Sequence, residues 1–315
     1  KIVDGNSACA EVAYLFSEIC SIYPITPSSP MASNIDILTH TEKKNLFNEK
    51  VSVIEMQSEA GAAGTLHGAS TFTASQGLLL MLPNMYKIAG EMLPAVIHVA
   101  SRTIATHALS IFGDHSDIYA ALKTGFCILS STNVTDAYYL AIVSHLSAIA
   151  GSLPFIHFFD GFRTSHEVNT IETIDEKAIL QLINYDKIYE FKKRALNVGK
   201  KMQKGLAENE DIYFQSVEAR NTAYLEMPAI VSSYMQKINE IAGTNYKPFN
   251  YYGAVDALHV IVAMGSVCDT IKLVVDDLNK NGHKLGLVEV HLYRPFSATY
   301  LANAIPSTVK NIAVL

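Results

Sequence analysis

The sequence predicts an α/β protein: a doubly wound parallel sheet, followed by part of a second α/β unit. Three observations carry this. From residue 1 to about 160, short β-rich runs alternate with helix-period segments. Those runs lack the polar alternation of a half-exposed strand, so helices must cover both faces of the sheet. The alternation breaks off near residue 161 and resumes near 256.

In order, "VSVIE" (51–55) leads into the small-residue helix "SEAGAAGTLHGA", and "TFTA" (71–74) into a helix through "QGLLLMLPNMYKIAG". "AVIHVAS" (95–101), "FCILSS" (126–131) and "PFIHFF" (154–159) continue the series. Ligands of such sheets bind beyond the carboxyl ends of the strands. In residues 161–250 charge rises and periodicity weakens. There "DEKAILQLINYDKIYEFKKRAL" reads as one amphipathic helix and "NEDIYFQSVEARNTAYLEMP" as loop. Near 256 the second unit begins with the strand "HVIVAMGS". A helix follows with Ile271, Val274, Val275 and Leu278 on one side and a stop at Asn281–Gly282. "KLGLVEVHLYRPF" reads as the next strand and "VKNIAVL" as a third. Three strands make a half-built domain, and with Lys at position 1 and an apolar run at 311–315 the chain reads as a fragment of something longer.

Composition narrows the function. A net charge of -6 on 315 residues and a pI near 6.0 argue against nucleic acid or an anionic membrane as partner. Seven Lys and Arg between Lys187 and Lys204 read as a solvated helical face. Cys9, Cys20, Cys127 and Cys268 are scattered and form no CxxC pair. The chain therefore offers no iron–sulfur or zinc-finger ligand set, and its thiols suit a reducing compartment. "KIVDGNSACAEVAY" lacks a signal-peptide core, and the longest apolar stretches are too interrupted to span a bilayer.

The stretch "SIYPITPSSP" (21–30) propagates neither helix nor central strand. One reading is a turn into a helix, with Ser29 as N-cap and Pro30 at the first helical position. The other is a loop stiffened by Pro24 and Pro27 that presents the Thr26 hydroxyl to a ligand. Glu59, just past a strand end, either complements a helix dipole beside a Ser58 cap or faces a ligand that the Ala/Gly run lets approach. Arg102 closes the strand 95–101, either as a surface residue or as a fork for a carboxylate. His107, Asp114, His115 and Asp117 match no zinc spacing, so helix capping by Asp114 is expected. "GSVCD" is a weak candidate for a phosphate-facing turn. Without GxSxG, GxGxxG or GxxxxGK[ST], hydrolase, Rossmann and P-loop readings have little support.

"VDGNSACAEVAYLFSE", "IYPITPSSPMA", "EMQSEAGAAG", "TFTASQGLLLMLPNMYKIAGEMLP", "THALSIFGDHSDIYAALKTGF", "PFIHFFDGFRTSHE", "DIYFQ" and "LYRPF" together resemble the pyruvate:ferredoxin (flavodoxin) oxidoreductase family. The resemblance is collinear from residue 1 to 315 and covers only the amino-terminal portion of the family's longer chain. It implies a thiamine diphosphate-type pyrimidine-binding domain (1–160), a linking excursion (161–250) and an incomplete transketolase-C-terminal-like domain (251–315). The implied reaction is oxidative decarboxylation of pyruvate with CoA to acetyl-CoA and CO2, with electrons passing to ferredoxin or flavodoxin. The resemblance further implies a homodimer in the cytoplasm, or in a hydrogenosome-like organelle of a eukaryote.

It also implies residue roles. Glu59 looks like the glutamate that bonds the cofactor's aminopyrimidine ring, a role that calls for a buried carboxyl with its pKa raised by desolvation. Arg102 looks like the cation that holds the 2-oxo acid's carboxylate. Thr26 looks like the hydroxyl beside the thiazolium, with Pro24 at the cofactor too. Two departures stand out. "HGAS" runs straight into "TFTASQGL" where the family has several more small residues, leaving a crossover helix (57–68) of about 18 Å at 1.5 Å per residue. The pyrophosphate motif GDG…N, its magnesium site and the cysteines of 4Fe-4S clusters are not in this sequence and are expected elsewhere in a longer protein. Other readings are a truncated, non-catalytic homologue that binds a partner through its unfinished sheet edge, and the equivalent part of an NADP-linked pyruvate oxidoreductase.

Overall fold

The computed structural model describes residues 1–66, 69–196, 198–199, 201 and 207–315. The chain opens with β1 (Ile2–Asp4), α1 (Gly5–Phe16), β2 (Ile19–Ile22), α2 (Ser29–Thr39), β3 (Ser52–Glu55) and α3 (Glu59–Gly64). It continues with β4 (Ser70–Thr73), α4 (Ser75–Gly90), β5 (Val96–Ser101), α5 (Ser116–Ala120), β6 (Cys127–Ser130), α6 (Val134–Gly151) and β7 (Phe155–Asp160). Then come β8 (Val168–Thr170), α7 (Glu176–Leu180), α8 (Tyr185–Arg194), α9 (Glu210–Glu218) and α10 (Asn221–Ala242). The last part holds β9 (Phe249–Gly253), β10 (His259–Ala263), α11 (Val267–Lys280), β11 (Leu285–Val290), β12 (Leu292–Arg294), α12 (Ala298–Ala304) and β13 (Asn311–Val314).

Among the described residues the central sheet runs β12-β6-β7-β5-β4-β2-β3. All its pairings are parallel except that of β12 with β6. The strands β4, β5, β6 and β7 are buried along their whole length, which is why their sequences show no polar alternation. From β2 the chain steps to β3 on one side and then crosses back to β4 on the other. The crevice between the carboxyl ends of β2 and β4 is therefore a topological switch point, where a doubly wound sheet opens to ligands. One face of the sheet packs on α1, α2, α6 and α10. The other packs on α3, α4 and α5, and on Phe249, Val260, Val262, Val288 and Val290 of the second unit.

The α6 face holds a buried chain of polar rings. His98 on β5 places Nδ1 3.0 Å from His157 Nδ1 on β7 and Nε2 3.0 Å from His145 Nε2 on α6. Ser131 Oγ lies 2.8 Å from His157 Nε2. Burial holds all three histidines well below the usual imidazole range, so they are neutral and share their ring protons along the chain.

The second sheet runs β13-β10-β11-β9. The predicted strands "HVIVAMGS" and "VKNIAVL" form as β10 and β13, and α11 stops at Asn281–Gly282 as expected, with Gly282 at φ +87°. Ile271, Val274, Val275 and Leu278 line one groove with β10 and β13.

Elsewhere the structure corrects the sequence reading. Ser21 and Ile22 end a strand, β2, hidden by its shortness and the prolines that follow. α2 starts at Ser29, so Pro30 is second rather than first, and Ser28 occupies the N-cap position with its hydroxyl turned back to Ile25 O at 2.8 Å. The predicted helix 57–68 is only Glu59–Gly64, and residues 67–68 of that crossover lie outside the described residues. The Ala/Gly run serves α3–α4 packing: Ala62 and Ala63 bury against α4, whose Asn84 donates to Ala60 O at 2.8 Å. "DEKAIL…KKRAL" splits into α7 and α8, and "NEDIY…LEMP" is helical, as α9 and the start of α10. "KLGLVEVHLYRPF" divides between two sheets, β11 in the second and β12 on the edge of the first. Lys200 and Lys204 of the basic run lie outside the described residues.

The "GSVCD" turn is occupied by the protein itself. Asp160 at the end of β7 accepts from Ser266 N at 2.9 Å and from the Ser266 hydroxyl, and its other oxygen lies 2.7 Å from His115 Nε2. This ties the second unit to the carboxyl end of the first sheet.

Candidate active site

At the carboxyl end of β2 the chain turns through Pro24, Ile25, Thr26 and Pro27. The Ile25 carbonyl accepts from Ser28 N and Ser29 N at 2.9 and 3.0 Å, closing the turn. Pro27 is buried; its carbonyl accepts from Asn6 Nδ2 at 3.0 Å. Its ring rests on Gly161, where a Cβ would stand 2.5 Å from Pro27 Cγ and 2.6 Å from Ser101 O. Pro24 and Thr26 are exposed. Thus Pro27 anchors the loop while Thr26 lies exposed on it.

Glu59 opens α3 just beyond β3. Ser58 caps that helix by accepting from Gly61 N at 3.1 Å, as expected from the sequence. The Glu59 side chain is buried, at 6% exposure, and no donor among the described residues bonds its carboxylate. Beside it the Thr73 hydroxyl is buried without a partner. Gly77 fits between them: a Cβ there would meet Thr73 Oγ1 at 2.4 Å and Glu59 Oε1 at 3.0 Å.

Arg102 follows β5 directly and is likewise 6% exposed. Nη1 donates to Thr26 O at 2.9 Å and Nη2 to Gln76 Oε1 at 3.2 Å. Its Nε is buried with no partner. Burial lowers the guanidinium's pKa from its ordinary value and the Asp117 charge opposes that shift, so Arg102 stays a cation. Gln76 is locked in turn: Nε2 donates to Ala105 O at 3.0 Å, and Oε1 lies 2.6 Å from the Ser75 hydroxyl.

The first turn of α4 therefore joins the candidates. Gly77 touches Glu59, and Gln76 bonds Arg102, which bonds Thr26. Gln76, Gly77 and Thr73 were not among the sequence-predicted candidates, although "TFTASQG" puts them right at a strand's carboxyl end. Asp114 does not take the expected capping position: His115 holds the N-cap of α5 without a side-chain cap, and Asp114, one residue ahead, accepts from Ser116 N at 2.8 Å in a local turn. The arrangement offers a cation with an unused buried donor, a buried carboxyl group and an exposed hydroxyl at one switch point. Such a set suits a small ligand that bears a carboxylate and a second, nitrogenous group.

Comparison with known proteins gives the same direction. A family model described as pyruvate flavodoxin/ferredoxin oxidoreductase, thiamine diphosphate-binding, matches residues 11–236. A second, described as pyruvate:ferredoxin oxidoreductase core domain II, matches residues 257–315. A pyruvate-flavodoxin oxidoreductase of Enterobacter agglomerans is 52% identical, and a pyruvate:ferredoxin oxidoreductase of Moorella thermoacetica 53% identical, each across 100% of this chain. The chain spans 28% of the length of these relatives. In fold it is similar to a 2-oxoglutarate:ferredoxin oxidoreductase from Magnetococcus marinus, solved with 2-oxoglutarate, coenzyme A and succinyl-CoA. The TM-score is 0.75 at 19% identity, over 100% of this chain and 57% of that one.

Proposed function

The chain belongs to the pyruvate flavodoxin/ferredoxin oxidoreductase family, and on that premise we propose that it forms the substrate-facing half-site of a thiamine diphosphate-dependent pyruvate oxidoreductase. The whole reaction in this reading is pyruvate plus CoA to acetyl-CoA and CO2, with two electrons passed to ferredoxin or flavodoxin. Residues 1–160 act as the pyrimidine-binding domain, 161–250 as the link and 251–315 as the start of the next domain. Magnesium and the 4Fe-4S clusters are assigned to the remainder of a longer protein, which works as a homodimer.

The residues present fit half of that cofactor. The Glu59 side chain is buried and no donor among the described residues bonds its carboxylate, Thr73 has a buried hydroxyl without a partner, and the missing Cβ of Gly77 lets both lie close against α4. When bound, thiamine diphosphate supplies an electron sink for loss of CO2 from a 2-oxo acid. Glu59 would hold the aminopyrimidine ring and exchange a proton with it. Pro24 shapes the loop against the cofactor, and the Thr26 hydroxyl faces the substrate. The buried loop anchor at Pro27 sets that hydroxyl during folding, so its ordering does not weaken binding.

The observation that carries this reading is the unpartnered Arg102 Nε. A buried N–H without an acceptor costs about 1–3 kcal/mol, and the carboxylate of a 2-oxo acid would supply one. Replacing Arg102 with Ala in the full-length protein tests it: use of pyruvate should fall far more than binding of thiamine diphosphate. Equal loss of both would refute the carboxylate role.

A further inference from the structure

We propose that Asp117 is the positioning residue of the 2-oxo acid site: by accepting the backbone N–H groups of both Arg102 and Ser75 on one oxygen, it locks the Arg102 guanidinium in its substrate-binding pose. The proposal rests on the carboxylate role of Arg102 put forward above.

Asp117 sits on α5 and is fully buried. Its Oδ2 accepts from Ser75 N at 2.7 Å and from Arg102 N at 3.1 Å. Its Oδ1 accepts from Ile118 N at 2.8 Å. Ser75 opens α4 just after β4 and Arg102 directly follows β5, and they lie 42 and 15 residues from Asp117 in the chain. The two ends are also tied through side chains, because Arg102 Nη2 donates to Gln76 Oε1. Asp117, Arg102, Gln76 and Ser75 thus form a closed ring of three hydrogen bonds and one peptide link.

Each part of the ring needs the carboxylate. Ser75 is a non-glycine residue at φ +49°, in the left-handed region, and such conformations persist only where their surroundings fix them. The Asp117 charge also faces the amino end of α4, where Ala74 provides no side-chain cap. Burial pushes the Asp117 carboxyl up to about 6 against the pull of its three N–H bonds, so it is ionised at neutral pH. Without it, both N–H groups are orphaned at the point where the guanidinium is aimed. A small shift there moves Nη1, Nη2 and Nε together, since all three leave one planar group.

The experiment uses the full-length protein with Asp117→Asn, Arg102→Ala and the double variant. It reads the pyruvate KM, kcat and thiamine diphosphate Kd of each. Asp117→Asn should raise the pyruvate KM about tenfold, as misplacement of an orienting group does. Its kcat and cofactor Kd should change by less than about threefold, a split that a merely structural role would not give. In the Arg102→Ala background the substitution should add nothing to KM, because it acts through the group already removed. If Asp117→Asn, which leaves one acceptor oxygen and no charge for three N–H groups, does not fold, Asp117→Ser, which likewise keeps one acceptor, carries the same expectations. A KM unchanged by the substitution, an equal rise in the Arg102→Ala background, or a matching loss of cofactor affinity would each overturn the proposal. A KM unmoved by Arg102→Ala itself would instead overturn the substrate reading, and the Asp117 role with it.

Discussion

The Arg102 guanidinium donates from Nη1 to the backbone carbonyl of Thr26 across 2.9 Å. Residues 76 positions apart, read separately from the sequence, are thus bound to each other. The bond joins the loop after β2 to the end of β5, across β4. Thr26 is thus divided: its carbonyl bonds Arg102, while the residue itself stays exposed.

That division predicts the behaviour of Thr26→Val, which keeps the carbonyl and removes the hydroxyl. Thermal stability should be unchanged. Pyruvate kcat/KM should fall about tenfold, the worth of one hydrogen bond at roughly 1–1.5 kcal/mol. Steady-state kinetics that match the parent protein would remove the hydroxyl from the site and leave only its carbonyl role.

Arg102→Lys keeps the charge but loses the fork. If the guanidinium binds the substrate carboxylate in a buried pocket, the loss is about 2 kcal/mol or more, or roughly 30-fold in pyruvate KM. Titration with pyruvate checks this, and a change below threefold would contradict it.

Gly77→Ala should be disproportionately harmful for one methyl group. The new Cβ would press on Thr73 Oγ1 at 2.4 Å and on the Glu59 carboxyl at 3.0 Å. Overpacking of that kind costs about 1–3 kcal/mol, and here it also displaces Glu59. Calorimetric titration should show thiamine diphosphate affinity falling, while Gly64→Ala, whose Cβ would meet only Asn84 at 3.9 Å, leaves it intact.

The buried histidines predict an acid-labile fold. His145 and His157 are held at about 3 and His98 well below its usual range. Unfolded, each takes up a proton below about pH 6.5; folded, each stays neutral there. Their stabilisation is complete above pH 6.5 and is lost as pH falls, at a slope approaching about 4 kcal/mol per pH unit for three groups. Asp117 works the other way: its raised carboxyl binds a proton near pH 6 in the folded state and only near 3.9 when unfolded, which favours folding as pH falls and removes up to about 1.4 kcal/mol per unit from that slope. Guanidinium unfolding midpoints between pH 6.5 and 5 should therefore drop steeply, and less steeply in His145→Gln. An equal slope in that variant would contradict the assignment.

How much of this was legible in the sequence depended on the range of the interactions. The strands β4 to β7 were readable because burial on both faces leaves long apolar runs, a purely local mark. α10 was not, since its buried stripe of Met227, Val231, Met235 and Ile238 sits among polar residues and contains Pro228. β12 was hidden inside an apparently continuous strand; only tertiary pairing with β6 separates it from β11. Glu59 and Arg102 could be picked out because strand ends mark the ligand side of such a sheet. Asp117 stood in a motif already singled out, but its role lies in bonds to two distant backbone N–H groups, which leave no trace in local spacing.

The proposed half-site turns on Glu59 exchanging a proton with the aminopyrimidine of thiamine diphosphate. The most direct measurement is hydrogen–deuterium exchange at C2 of thiamine diphosphate bound to the full-length protein, followed by proton NMR, in the parent and in Glu59→Gln. Exchange should be slower by at least about 100-fold in the variant, the scale of a lost acid–base group, with the cofactor still bound. Exchange at the parent rate in a cofactor-loaded Glu59→Gln protein would contradict it.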